Sequence, residues 1–137
     1  MRPALLILLL ALALEQGAHA QSGSCPLPQQ TATLVIELFF GQRIPGGGAV
    51  TSKEWRSFLA RTVTPRFPDG FTVYDAYGQW RQPGTRSITR ERSKVVVIVA
   101  ADTPEVRAGI AQVTAEYRTL FHQHSVGVVT SPGCAAF

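Results

Sequence analysis

Acidic and basic residues that could bind a small anion occur in three parts of this sequence. A guanidinium group can hold a carboxylate or phosphate through two parallel hydrogen bonds, and a neighbouring carboxylate can orient the guanidinium. The residues with this potential, together with one aromatic residue beside them, are Glu37, Arg66, Asp69, Trp80, Arg90, Glu91 and Lys94. If they converge, they would form a site for a small anionic ligand or the active site of a small enzyme.

A structural role would explain the same residues without a ligand. Arg66 and Asp69 could close the turn in which they lie, and the charges after Thr89 could form a solvated arm. Pro65 and Pro68 should push the residues before them, including Thr64, into extended backbone. We favour the structural interpretation, because networks of ion pairs are common without any functional role.

Signals for metal, cofactor or nucleophilic chemistry are weak. His122 and His124 lie near a predicted helix end, two residues apart, which is not the spacing of helical metal ligands. The glycine run 46–48 lacks the lysine of a phosphate-binding P-loop, so we interpret it as a flexible connector. The sequence also has no nucleophile elbow. We therefore expect no metal and no cofactor, and favour a non-enzymatic binding or interaction module.

The N-terminal residues are typical of a secretory signal peptide. An apolar run over 4–14 follows Arg2, is too short to span a bilayer, and leads to a small-residue cleavage pattern that ends at Ala20. We predict a signal peptide over 1–20, a flexible N-terminal arm over 21–32 and a single α+β domain over 33–137. The product would be periplasmic or secreted, with no transmembrane segment after cleavage. Cleavage removes one charge of each sign, so the net charge stays at +4. For an exported protein, such a charge favours anionic partners and argues against nucleic acid.

The apolar periodicity predicts four strands and two helices in the order βαββαβ. Alternation of apolar residues indicates strands, a capping box begins the first helix at Thr51, and Pro104 begins the second. The predicted strands are 33–40, 71–80, a third that ends at 95–100, and 126–130. This order predicts a ferredoxin-like split βαβ fold, in which a four-stranded antiparallel sheet carries both helices on one face.

Details of the hairpin and the last strand also follow from the sequence. Pro83-Gly84 suits a two-residue type II turn, which would place Trp80 opposite Ser87 and Asp75 opposite Arg92. The residues 131–133, Ser-Pro-Gly, should end the last strand.

The second face of the predicted sheet is apolar and has no helix to cover it. Val35 and Phe39 lie on it with alternate valines of the third strand, and Glu37 is its polar exception. An uncovered apolar face of this kind favours a homodimer through the sheet.

The two cysteines, Cys25 and Cys134, are expected to form a disulfide. The last strand should lie beside the first, and the residues between each cysteine and its strand are enough to bring the sulfurs together. An exported protein would keep such a bond. The alternatives are two unpaired thiols in flexible tails, or a bond from Cys25 to a second chain.

The chain resembles a family of exported bacterial proteins known as domain of unknown function 3574. The segments that carry the resemblance are 37–41 (ELFFG), Trp55 with Phe58, 63–73 (VTPRFPDGFTV), 78–81 (GQWR), 90–94 (RERSK), and Tyr117, Phe121, Gln123, Ser125 and Val126. The resemblance implies an exported α+β domain and brings no activity with it. The leader lacks the lipoprotein pattern expected in some members.

Overall fold

The computed structural model describes residues 25–81 and 84–137. The predicted signal peptide, its cleavage position and residues 21–24 of the predicted arm lie outside the described residues. The strands are β1 (Thr31–Gly41), β2 (Thr72–Arg81), β3 (Ile88–Ala100) and β4 (Gly127–Ala135); the helices are α1 (Ser52–Phe58), which continues as a π-helical segment (Leu59–Val63), and α2 (Pro104–Leu120).

The four strands form one antiparallel sheet in the order β2-β3-β1-β4. This order, with both helices on one face, confirms the predicted ferredoxin-like α+β fold. We call the face that carries the helices the helix face, and the other the open face. Residues opposite one another on neighbouring strands share a face, so the register assigns every strand residue to one of the two.

The core lies between the helices and the helix face. Ile36, Leu38 and Phe40 of β1 are fully buried there, with Val96 and Ile98 of β3. Aromatic rings then cover Phe40 in edge-to-face contacts, with centroids 4.7 Å from Tyr117 and 5.4 Å from Trp55. Trp55 is therefore a core residue.

The capping box begins α1 as predicted: the Thr51 side chain accepts from the Glu54 backbone, and Glu54 accepts from the Thr51 backbone. The prediction for Thr64 was wrong. It keeps helical angles (φ −56°, ψ −43°), because its N–H bonds to Leu59 O in the π-helical turn and the Arg66 and Phe67 amides both bond to Val63 O. These hydrogen bonds outweigh the steric preference before proline.

The predicted register of the hairpin was wrong by two residues. Asp75 lies opposite Lys94, and Trp80 opposite Thr89, because the pairing at the hairpin end begins with Arg81 opposite Ile88. The connection is therefore longer than a two-residue turn, and Ser87 N donates to Thr85 Oγ1 within it. Residue 83 of the predicted turn lies outside the described residues. A shift of two residues keeps every side chain on its predicted face.

Two predicted strand ends also need correction. β4 continues through Pro132 and Gly133 to Ala135, because an edge strand tolerates a proline whose missing N–H faces away from the sheet. A Cβ at Gly133 would lie 2.7 Å from Val35 Cγ2, so glycine permits the close pairing with β1. β1 in turn begins at Thr31, two residues inside the predicted flexible arm.

The longer pairing brings the two cysteines together. Cys25 and Cys134 form a disulfide with Cα atoms 5.6 Å apart, across a sequence separation of 109 residues. Gln30 Nε2 also donates to Cys134 O, so the segment before β1 is fixed at both ends.

We predict that loss of this disulfide lowers the free energy of unfolding by up to about 4.7 kcal/mol, since the cross-link restricts a long loop in the unfolded chain. Urea unfolding of wild type and of the Cys25→Ser, Cys134→Ser double variant measures the difference. A reducing agent should lower wild type to the level of the double variant and leave the double variant unchanged. Alkylation of both cysteines without prior reduction would contradict the bond.

Candidate functional site

Arg66 lies between the helices and not in a pocket. Its Nη2 donates to Glu116 Oε1 at 2.5 Å, its Nε to Gln112 Oε1 at 2.8 Å, and its Nη1 to Thr62 O at 2.7 Å. The guanidinium thus joins the end of the first helix to α2. Asp69 is exposed in the following turn and makes none of these contacts, so the predicted Arg66–Asp69 pair is not formed.

The hairpin residues are divided between the two faces. Lys94 forms an ion pair with Asp75 on the helix face. Arg90 is exposed on that same face, where the hairpin extends past the helices, whereas Glu91 and Trp80 lie on the open face. Arg66 and Glu91 are therefore on opposite faces of the sheet, and the seven candidate residues do not share one site.

Trp80 and Glu91 instead meet at one end of the open face, in a trough with a cavity volume of about 880 Å³. Its floor consists of small residues on adjacent strands, and its rim consists of aromatic residues, a glycine-rich loop and the chain after α2. The main contributors are Phe39, Gly41, Gly46, Gly78, Trp80, Ile88, Glu91, Ser93, Gln123 and His124.

The Glu91 carboxylate lies on the floor of the trough and is held by two hydrogen bonds. Trp80 Nε1 donates to Oε1 at 2.9 Å, and the Arg43 backbone N–H donates to Oε2 at 2.9 Å. The carboxylate lies directly over Gly41: a Cβ there would be 2.9 Å from both oxygens. Any side chain at position 41 would therefore displace Glu91.

The glycine run forms one wall of the trough and is more ordered than the predicted flexible connector. Arg43 and Ala49 form a β-bridge, and Ile44 N donates to Gly48 O at 3.1 Å across the loop. All three glycines have positive φ, between 86° and 128°, which favours glycine over other residues. Gln123 Nε2 donates to Arg43 O at 2.7 Å and fixes the loop to the end of α2.

Tyr117 supports the trough from the opposite side of the sheet. Its hydroxyl donates to Gly41 O at 2.8 Å and accepts from Gln42 Nε2 at 2.9 Å, and both side chains are buried. Burial first, and then the nearby Glu91 carboxylate, raise the pKa of Tyr117, while the hydrogen bond from Gln42 opposes them. Tyr117 thus stays protonated and able to donate at neutral pH.

Several residues of the site escaped prediction from the sequence. Gly41 gives room to the Glu91 carboxylate, but a glycine in a strand gives no sign of which neighbour needs the space. Gln42 and Gln123 act through long-range hydrogen bonds that periodicity does not reveal. Tyr117 is one of the residues that carry the family resemblance, but its hydroxyl contact depends on the tertiary fold.

Beyond the trough, the open face has an apolar band, which we define as Val35, Phe39, Tyr74, Val95, Val97, Val99 and Val129. Tyr74 is 55% exposed and Val129 50%. Glu37 lies within the band, opposite Val97 and Val129, and makes no hydrogen bond or ion pair with any described residue.

Neither a metal cluster nor a membrane-spanning helix is found in the part of the chain that the structure describes. No three His, Cys, Asp or Glu residues among 25–81 and 84–137 are grouped so that they could hold a metal ion. Among the same residues, no helix has the length and apolar character needed to cross a bilayer.

These features define a small ferredoxin-like α+β domain with one open sheet face and a trough at its end. The chain belongs to the family described as protein of unknown function (DUF3574), whose model matches residues 35–137. This confirms the predicted resemblance. Comparison with curated proteins gives no match.

Two solved structures with similar folds have very different sequences. A phage SAM lyase in complex with S-methyl-5′-thioadenosine is 13% identical, with a TM-score of 0.62, over 83% of this chain and 97% of that chain. CutA from Synechococcus elongatus PCC7942 is 12% identical, with a TM-score of 0.53, over 78% of this chain and 83% of that chain. At these identities the likeness shows the fold and brings no activity to this chain.

We predict that Tyr117→Phe lowers the free energy of unfolding by about 1–3 kcal/mol, because Gln42 Nε2 loses a partner and Gly41 O loses a donor in a buried place. Tyr77→Phe is the matched control, since Tyr77 is 70% exposed, and should change stability by less than about 0.5 kcal/mol. Urea unfolding measures both. Equal stability of Tyr117→Phe and wild type would show that the hydroxyl does not support the site.

Proposed function

We propose that this protein is an exported, non-enzymatic interaction module that forms a homodimer through its open sheet face. The observation that carries the proposal is the apolar band: no described helix packs on it, and Phe39, Tyr74 and Val129 are exposed there although Val95 is buried. The domain over 33–137 would act after removal of a signal peptide at 1–20, with the arm at 21–32 held to the domain by the disulfide.

Two features support export. The first is the pattern of a charged residue, an apolar run and a small-residue cleavage position within 1–20. The second is the Cys25–Cys134 disulfide, since such bonds persist in oxidising compartments outside the cytosol. A periplasmic or secreted location agrees with both.

We predict that the exported product begins at Gln21. Expression of the full chain in a bacterial host, followed by intact mass measurement of the exported fraction, tests this. Leu9→Arg should retain the chain in the cytoplasm, because a charge interrupts the apolar run. Leu27→Arg, at an exposed position outside the run, is the matched control and should be exported normally. Export of both variants at equal levels would contradict the signal peptide.

The size of the open face agrees with a dimer. The sheet has four strands, and β1 has 11 residues. With strands about 4.8 Å apart and a rise of about 3.4 Å per residue, the face covers about 700 Å². Two such faces together amount to about 1,400 Å², which lies within the roughly 1,200–2,000 Å² of a specific protein interface.

A second copy is the occupant that the face favours. The apolar band runs across all four strands, so two identical faces related by a two-fold axis would bring apolar surface onto apolar surface. Glu37 is the exception within the band. Burial of its carboxylate without a partner costs free energy, so it should keep the association weaker than an entirely apolar face would allow.

We predict that Tyr74→Glu weakens the dimer at least about tenfold, because the new charge would be buried in the interface. Tyr77→Glu is the matched control: it lies on the same strand but on the helix face, at an exposed position. Sedimentation equilibrium at micromolar concentration measures both against wild type. A wild-type protein that is monomeric over this range would end the homodimer proposal.

A second candidate function is the binding of a small anion at the hairpin arginines. Arg66 and Lys94 already have acidic partners, whereas Arg90 and Arg92 are exposed and make no ion pair with any described residue. Their guanidinium groups lie on the same face of β3 and are available to a carboxylate or phosphate. This candidate concerns a surface separate from the trough, because the trough lies on the other face.

A further inference from the structure

We propose that the trough binds a small flat aromatic molecule that carries two adjacent N–H donors, such as an amidine or an amino-substituted heterocycle. Glu91 would accept both donors on the floor of the trough, and Trp80 would lie along the ring. The proposal extends the proposed binding function by giving it a ligand site, but it does not depend on dimer formation.

The hydrogen bonds of Glu91 leave it able to accept more. An ionised carboxylate has about four acceptor positions. Trp80 Nε1 and the Arg43 N–H occupy one position on each oxygen. One acceptor position on each oxygen thus remains for N–H groups of a ligand, and an amidinium or guanidinium presents two such groups side by side. The two existing bonds also fix the carboxylate, so little freedom is lost when a ligand binds.

The shape of the trough suits a flat ring. Its floor has no bulky side chain at Gly41, Gly78 or Ser93, and apolar groups of Phe39 and Ile88 lie around it. A cavity of about 880 Å³ lies in the range of small-molecule sites. Apolar walls with a few placed polar groups are what such sites have in common.

The charge of the floor selects the type of ligand. A carboxylate on a partly enclosed surface attracts a cation or a neutral donor and repels an anion. Arg43 and His124 lie at the exposed rim, whereas Glu91 is half-buried at the bottom. A ring bound at the floor of the trough would therefore contact the Glu91 carboxylate rather than the basic groups at the rim. This ligand class differs from the anion predicted from the sequence.

Benzamidine is a suitable probe, with benzoate as the control of the same shape and opposite charge. The chain has two tryptophans, so a nitrogen–proton correlation spectrum should show two indole signals, which Trp80→Phe assigns. Benzamidine should shift the Trp80 indole signal in a saturable way and leave the signal of buried Trp55 unchanged. Benzoate should shift neither signal.

Two variants locate the binding. Glu91→Gln keeps an acceptor for Trp80 but loses the charge, and should weaken benzamidine binding by about tenfold or more. Gly78→Val fills the floor and leaves Glu91 intact: a Cβ there has only Ser93 Oγ nearby, at 3.8 Å, so the strand should accept it. It should abolish the saturable shift. An unchanged Trp55 signal in each variant shows that the fold is retained.

The proposal is overturned if the Trp80 signal does not respond to benzamidine, if benzoate binds equally well, or if neither variant weakens binding. Sedimentation of the same samples reports the association state separately. Because the trough and the apolar band lie on the same face, benzamidine is also titrated into Tyr74→Glu, the variant designed to be monomeric. A monomeric Tyr74→Glu protein that does not bind benzamidine would overturn only the ligand site, and a wild-type monomer that binds it would overturn only the homodimer.

Discussion

The hydrogen bonds of the Tyr117 hydroxyl fix the position of the backbone at the end of β1. The ring belongs to the aromatic core, and the hydroxyl bonds to Gly41 O and Gln42 Nε2. Because Tyr117 is fully buried, an unpaired hydroxyl would cost free energy, so the backbone at 41–42 must stay within reach. The core thereby fixes the place where β1 leaves the sheet and the glycine-rich loop begins.

The same stretch of backbone is fixed from the open face. Glu91 accepts the Arg43 N–H directly after this stretch and lies against Gly41. Three consecutive residues, 41–43, thus connect the core on one side to the trough on the other. The Glu91 carboxylate therefore lies near the Tyr117 hydroxyl across the strand, and its negative charge adds to burial in raising the pKa of Tyr117.

The sequence predicts the fold well because the fold depends on local signals. The capping box at Thr51 and the proline at the start of α2 begin helices where expected. Two of the errors arise where the local backbone preference of proline competes with hydrogen bonding or strand pairing. Thr64 remains helical before Pro65, and β4 continues through Pro132. In both cases hydrogen bonds or a strand partner outweigh a steric preference that is real but small.

The candidate site was less predictable, because it depends on which face each residue occupies. Glu91 and Arg90 are neighbours in sequence, yet alternation sends them to opposite faces. Arg66 forms an ion pair with Glu116 on α2. Its other guanidinium hydrogen bonds also go to residues of the helices, so it does not contact the sheet residues of the predicted site. The charged residues that the sequence groups together therefore lie in three separate places. Arg66 joins the two helices, Arg90 and Arg92 are exposed on the helix face, and Glu91 lies in the trough on the open face. Of these three places, Glu91 is the one with an aromatic hydrogen-bond partner, Trp80, and with a cavity beside it. This combination, rather than the number of charges, distinguishes a candidate ligand site from a solvated surface.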